Sequence, residues 1–225
     1  MKKMKKLLLL LVLGFTIVGF SQTTLIPDPN FEQALIDLGY DTAPINGSVP
    51  TANISGVTEL QVYQAGIADL TGIEDFTALT ELECWGNDLT SLDVSNNTAL
   101  TYLYSGINEL TSLDVSNNLA LTYLDCDNNQ LTSLDVSNNT ALTYLYCFSN
   151  ELTSLDVSNN TSLTDLNCGN NQLTSLDVSN NTALTYLICE GNQLTSLDVS
   201  NNTSLTDLNC YNNQLTSLDV SNNTA

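Results

Sequence analysis

The 225 residues include 25 acidic side chains, four Lys or Arg and no His, for a formal charge of −21 at pH 7. All of the lysines lie within the first six residues, so the rest of the chain carries acids and no cationic side chain. Nucleic acid and anionic membrane surfaces are thereby excluded as partners, since both need positive groups. So are a Ser-His pair, a Cys-His pair and a Schiff-base lysine beyond the start.

Residues 1–21 read as a secretory signal. Lys2, Lys3, Lys5 and Lys6 form a basic start, Leu7 to Phe20 is apolar, and Gly19 and Ser21 are small residues suited to cleavage before Gln22. The apolar run is shorter than the about 20 residues of a membrane span. The expectation is a secreted or cell-surface chain with no membrane insertion after cleavage.

Residues 22–56 read as an N-terminal capping region. Within it, Pro27 to Gly39 predicts a short helix, with Asp28 as N-cap, Pro29 at the first helical position and Gly39 at the stop. Phe31, Ala34, Leu35 and Leu38 fall on one face, suited to covering the open end of a stack. A linker through Asn46, Gly47 and Pro50 follows. Residues 57–78 form a divergent 22-residue unit with Leu60, Val62, Ile67, Leu70, Ile73 and Phe76 as its apolar set.

From Leu79 to Ala225 one 21-residue unit recurs seven times, L-T-x-L-x-C-x-x-N-x-L-T-S-L-D-V-S-N-N-T-A. A period of this size marks a repeat architecture, in which each unit buries its apolar face by stacking on its neighbours. Each half of the unit gives two alternating inward residues, such as Leu82 and Cys84, then Leu92 and Val94, and closes on asparagine. That is strand periodicity with turn chemistry. It predicts a flattened coil with a parallel strand on one side, an extended segment or second strand on the other, and about 4.8 Å per turn. Terminal repeats normally carry a polar cap. The seventh unit finishes at Ala225 without one, so a partial sequence lacking its C-terminal cap is expected.

Six cysteines share one column, Cys84, Cys126, Cys147, Cys168, Cys189 and Cys210, with Ser105 in the remaining place. Cys84 and Cys126 are two turns apart, beyond the about 7 Å reach of a disulfide between Cα atoms. On adjacent turns the Cβ vectors run parallel rather than converging. Reduced thiols packed as small hydrophobes are expected. Zinc is not, because its ligands converge tetrahedrally; neither a metal site nor a cofactor is expected.

Comparing the copies with one another separates scaffold from surface. Variation gathers at positions 3, 5, 7 and 8, and alternation turns 3, 5 and 7 outward. Trp85, Tyr102, Tyr104, Tyr123, Tyr144, Tyr146, Phe148, Tyr186 and Tyr211 fall there. Rigid amphipathic rings give large contact area at low entropy cost, so these are the candidate ligand- or partner-binding residues. The densest part is expected at Tyr102, Tyr104, Tyr144, Tyr146 and Phe148. The opposite face repeats one aspartate per unit, Asp93, Asp114, Asp135, Asp156, Asp177, Asp198 and Asp219. This row offers carboxylate oxygens to divalent cations, but hydrated carboxylates bonded to nearby Ser or Thr are favoured. Carboxylate catalysis through Glu81, Glu83, Asp125 or Asp127 would need an enclosing cleft, which a regular strand face does not offer. The chain is therefore not read as an enzyme.

L-x-x-L-x-C-x-x-N-x-L resembles the leucine-rich repeat consensus, with cysteine in the last apolar slot. The doubled L-x-x-L pattern over 21 residues resembles the short bacterial class called IRREKO repeats. The divergent unit, with GIADLTGIEDFTAL, resembles the internalin type. The whole arrangement, including the IPDPNFEQALIDLG opening, is similar to secreted leucine-rich repeat proteins of Bacteroidetes and flavobacteria. The resemblance implies a leucine-rich repeat solenoid, mostly parallel β, with little helix apart from a short N-terminal capping helix. It also implies that the strand face is the usual binding surface. The expected function is recognition of a protein, or adhesion, through the aromatic face. Alternatives are a carbohydrate-binding module on the same face and a structural spacer for a missing C-terminal domain.

Overall fold

A computed structural model describes residues 22–224. The signal read in residues 1–21 lies outside the described residues.

Strand β1 (Thr23–Leu25) pairs antiparallel with β2 (Ser48–Pro50), and between them runs helix α1 (Pro29–Asp37). Asp28 caps α1 as expected, with Oδ1 accepting from the N–H groups of Asn30 at 2.8 Å and Phe31 at 3.1 Å. Its Oδ2 accepts from Ala68 N–H at 2.7 Å and Asp69 N–H at 3.0 Å, so one carboxylate both caps the helix and fastens it to the divergent unit. Burial alone would raise this carboxyl, but the four backbone donors hold it below its ordinary value. Phe31 and Leu35 are buried, and Phe31 stacks on Phe76 at 6.3 Å. Leu38 departs from the expected apolar face: as the C-cap it is 45% exposed, and Gly39 behind it takes φ +83°.

The segment expected as a linker is ordered instead. It contributes β2 and a single-turn helix α2 (Thr51–Ile54), which buries Ile54. Buried Glu32 holds it in place, accepting from Asn46 N–H and Gly47 N–H, each at 2.7 Å.

The solenoid then stacks eight parallel strands in chain order: β3 (Glu59–Gln61), β4 (Glu81–Glu83), β5 (Tyr102–Tyr104), β6 (Tyr123–Asp125), β7 (Tyr144–Tyr146), β8 (Asp165–Asn167), β9 (Tyr186–Ile188) and β10 (Asp207–Asn209). Each central leucine pairs with the next, Leu103 with Leu124 and Leu124 with Leu145, and points into the core. One continuous core runs along the array, built from the invariant leucines, the valine and, except where Ser105 replaces it, the cysteine of the units; in the last unit Leu218 and Val220 are exposed.

The second half of the unit does not form the second strand ladder. Among the described residues its one bridge is between Asp93 and Asp114. The reason is local. Each aspartate of this row turns its Oδ1 onto the N–H of the serine two residues on, at 2.9 Å in Asp93–Ser95, Asp114–Ser116 and Asp135–Ser137, so a side chain takes the donor that a ladder would use.

Asparagine closes both turns. In the first, Asn129 donates through Nδ2 to the carbonyls of Ser105, Cys126 and Asp127, and its Oδ1 accepts from Leu110 N–H at 2.9 Å. In the second, Asn139 donates to Val115 O at 3.0 Å and Asn118 O at 2.9 Å, while its Oδ1 is buried without a partner.

Position 8 is left-handed in every unit. Gly86, Asn128, Ser149, Asn170, Gly191 and Asn212 adopt it, and so does Ile107 at φ +54°. A β-branched residue in this region is strained by about 1–2 kcal/mol, and Ile107 is 48% exposed, so little burial offsets the strain. Ile107→Asn, the residue used at 128, 170 and 212, is expected to raise stability by about 1 kcal/mol. A lower urea midpoint for this variant would show that Ile107 packing outweighs its backbone.

Candidate functional site

Strand alternation puts positions 3, 5 and 7 on the outer face of the sheet, and the rings there interlock. Tyr63, Trp85 and Tyr104 form one stack, with centroids 5.0 Å apart at 11° and 5.6 Å apart at 22°. Tyr102 stacks on Tyr123 at 4.2 Å and 10°. Tyr123 in turn meets Tyr144 at 5.8 Å and Tyr146 at 5.8 Å, and Tyr144 meets Tyr146 at 6.4 Å. Tyr123 is therefore the hub.

The sequence-derived set is partly brought together. Six of its members make ring contacts in two neighbouring sets, Trp85 with Tyr104, and Tyr102, Tyr123, Tyr144 and Tyr146. Phe148 was expected in the densest part and is not: among the described residues it has no ring partner, and it packs over the Cα of Gly169 instead. Tyr186 stands half-buried apart from the cluster, and Tyr211 is 79% exposed near the last strand. Tyr63 was missed. It belongs to the divergent unit, where the period is 22, and aligning Glu59 with Glu81 places it in register with Trp85.

Stacking consumes ring faces. The Tyr102–Tyr123 and Tyr63–Trp85 pairs each cover a face of both partners, which leaves less open ring surface than isolated rings would. Tyr146, by contrast, meets its neighbours at 84° and 73° and has no stacked partner among the described rings.

Asp125 sits at the centre of this surface, in register with Tyr104 on β5 and Tyr146 on β7. It is only 7% exposed. Its Oδ1 accepts from Asp127 N–H at 3.0 Å, and Tyr123 OH approaches Oδ2 at 3.5 Å. Burial first, then the neighbouring Asp127, pushes the Asp125 carboxyl up to about 7. Burial and nearby acids such as Asp125 also raise the phenols, Tyr104 to about 12 and Tyr123 higher still, while for Tyr146 burial and then Asp165 lead, again to about 12. The phenols therefore remain hydroxyl donors at any physiological pH.

Beneath the face run the thiols. All six cysteines are free, and all but Cys210 are buried. Desolvation lifts Cys84 to about 12 and raises Cys126, Cys147 and Cys168 likewise. Since the thiolate is the reactive form, the column is expected to be inert while folded. A polar thiol reagent is expected to modify at most Cys210 in the native chain, and close to six thiols in denaturant without reductant. A denatured count near two would mean the column had oxidised.

On the opposite face the aspartates are exposed and below their ordinary pKa, held there by Ser side-chain and backbone hydrogen bonds at Asp135, Asp156 and Asp177. Among the described residues no group of three or more His, Cys, Asp or Glu side chains converges as a metal site. Nor is any described helix long and apolar enough to cross a membrane.

Comparison with known proteins places these features. A model described as leucine-rich repeats (2 copies) matches residues 140–181. Internalin J of Listeria monocytogenes serotype 4b (strain F2365) is 49% identical over 71 residues, 32% of this chain and 8% of that protein. The solved functional domain of InlJ from Listeria monocytogenes, described as including a cysteine ladder, is 39% identical with a TM-score of 0.72, over 91% of this chain and 51% of that one. An internalin, InlF, from Listeria monocytogenes strain 4b F2365 is 26% identical with a TM-score of 0.71, over 89% of this chain and 67% of that one. The chain thus spans about half the length of the solved InlJ domain, and the matched segment is a small part of internalin J. The fold is the leucine-rich repeat solenoid, a stack of short parallel strands with little helix, as in the internalin structures.

Proposed function

We propose that this chain is a secreted or cell-surface recognition module, without catalytic activity, that binds a protein partner through the outer face of β4–β7. The observation that carries this reading is the ring cluster centred on Tyr123. Leucine and valine face inward in every unit, whereas the outward positions vary and gather aromatics in neighbouring turns. Clustered aromatics with polar tips are what interface hot spots are made of. The likeness to internalin leucine-rich repeat structures supports an interaction or adhesion role.

Stacking favours a protein partner over a glycan. A sugar ring packs on an open aromatic face, and here Tyr102, Tyr123, Tyr63 and Trp85 cover one another. A protein surface can instead use ring edges and hydroxyls. The spacer reading gains nothing from a surface whose rings differ from turn to turn.

The test compares the parent chain with a Tyr123→Ser, Tyr144→Ser, Tyr146→Ser variant on an array of extracellular protein domains and on a glycan array. Protein binding by the parent, lost in a variant that keeps its circular dichroism, is the expected result. Glycan binding lost in the same variant would replace this reading with the carbohydrate one. Equal behaviour of parent and variant on both arrays would leave a spacer.

A further inference from the structure

We propose that the protein partner inserts a cationic side chain, Arg or Lys, between the tyrosines onto Asp125, so that the aromatic face is a cation-anchoring site. This rests on the protein-binding reading above and specifies what the partner must carry.

The argument starts from a comparison within the chain. Position 5 of the unit is occupied by Asp125 in one copy and by asparagine in two others, Asn167 and Asn209. Asn167 Oδ1 accepts from Gly169 N–H at 3.2 Å and Asn209 Oδ1 from Tyr211 N–H at 3.2 Å. Asp125 Oδ1 makes the same contact with Asp127 N–H at 3.0 Å. The local turn is therefore served equally well by a neutral amide. The charge of Asp125 does nothing for the fold that asparagine does not do elsewhere in the array.

That charge is also placed where it is least welcome. Its residue is 93% buried by its own exposure of 7%, and burying a carboxylate without a cation is strongly unfavourable. Residues 22–225 contain no Lys, Arg or His, so the chain has no cation to supply. A second carboxylate lies beside it: Asp127 Oδ1 is buried with no hydrogen-bond partner and rests against the Cα of Gly106, where a Cβ would collide with it. Asp125 at the end of β6 and Asp127 two residues on are thus both short of donors, since Asp127 Oδ2 accepts only from Asn128 Nδ2 at 2.7 Å.

The geometry suits a guanidinium or ammonium arriving from outside. Asp125 Oδ2 has only the long contact from Tyr123 OH. The groups facing it are Tyr123 on its own strand, Asp127 just beyond that strand, Tyr102 and Tyr104 on β5, and Tyr146 on β7, none of them cationic. The surrounding rings exclude water, which strengthens a charge-assisted hydrogen bond made there, and unstacked Tyr146 leaves a ring for cation–π contact. The fold spaces the parts, and a partner's side chain completes them.

The experiment presents the full chain with a positional-scanning library of nine-residue peptides, each bearing one fixed residue. Binding is measured for the parent, for Asp125→Asn and for Tyr146→Ser. The expected result is selection of Arg or Lys at one position of the bound peptides, with at least tenfold loss, about 1.4 kcal/mol, when that residue is replaced by citrulline or glutamine. Asp125→Asn, which the array tolerates at 167 and 209, is expected to erase the cation preference while keeping the fold. Affinity of the parent is further expected to fall as pH drops from 8 to 5, with the variant flat across the same range. Binding peptides with no cation preference, or with a preference that survives Asp125→Asn, would overturn the inference and leave the protein-binding face standing. Peptides bound identically by parent and Tyr146→Ser, or none bound at all while ectodomains bind elsewhere, would overturn both.

Discussion

Asn129→Ala is expected to destabilise the chain by about 3 kcal/mol or more, the cost of leaving several buried backbone groups unpaired. Asn129 is 8% exposed. Its removal strands Leu110 N–H, which points at its Oδ1, and the carbonyls of Ser105, Cys126 and Asp127. The side chain also bridges two units, since Ser105 and Leu110 belong to the turn before, so the loss falls on the interface that couples neighbours. The control is Asn139→Ala in the second half of the same unit. Asn139 satisfies only Val115 O and Asn118 O, and truncation removes a buried acceptor that had no partner. Its expected cost is lower, about 1–2 kcal/mol. Urea midpoints at constant m measure both. Equal losses would mean that the first-turn amide contributes no more than the second.

Asp125→Asn has the opposite sign. A carboxyl whose folded pKa lies above its unfolded value binds its proton more tightly when folded, so its ionisation weakens the fold as pH rises from about 4 to about 7. Replacement by asparagine is therefore expected to stabilise the chain at pH 8 by roughly 2 kcal/mol or more, at about 1.4 kcal/mol per pKa unit. Below about pH 4 the gain is expected to vanish, because the parent carboxyl is then neutral in both states. The exposed aspartate row runs the other way: its folded carboxyls are lowered, so its contribution is present above the unfolded value and lost as pH falls through the folded one. A pH series of unfolding curves for parent and variant isolates the Asp125 component. An unchanged difference from pH 4 to pH 8 would show that burial of this carboxyl does not bias its protonation. A stabilising variant that also loses cation binding would fit the usual trade between stability and function at a binding site.

The two variants mark the boundary between what residue order reveals and what it does not. The leucine columns, the closing asparagines and the thiol column were legible because a repeat states each requirement once per turn. Leu103, Leu124 and Leu145 fall in register in the sheet as the period requires. The Asp28 cap and Pro29 start of α1 were legible for a different reason, since both are local: a cap needs a side-chain acceptor and a first-turn residue with no N–H to satisfy.

Features that depend on approach between distant groups were not legible. β2 and α2 hold only three and four residues, too few for any periodic signal, and exist because β1 and Glu32 hold them. Of the two readings open for the second half, extended segment or second strand, the ladder gives way to a file of Asp–Ser turns, a competition between side chain and ladder that alternation does not report. On the outer face, residue order supplied the rings and their columns, but not their partners. Tyr63 joins Trp85 and Tyr104 in a stack and Phe148 stands apart because stacking depends on how χ angles and neighbouring turns bring ring planes together. Asp125 appeared in the sequence as one variable acid among several. Only the packing of Tyr104, Tyr123 and Tyr146 around it removes its water, and loss of water, not residue type, sets the charge state of a carboxyl.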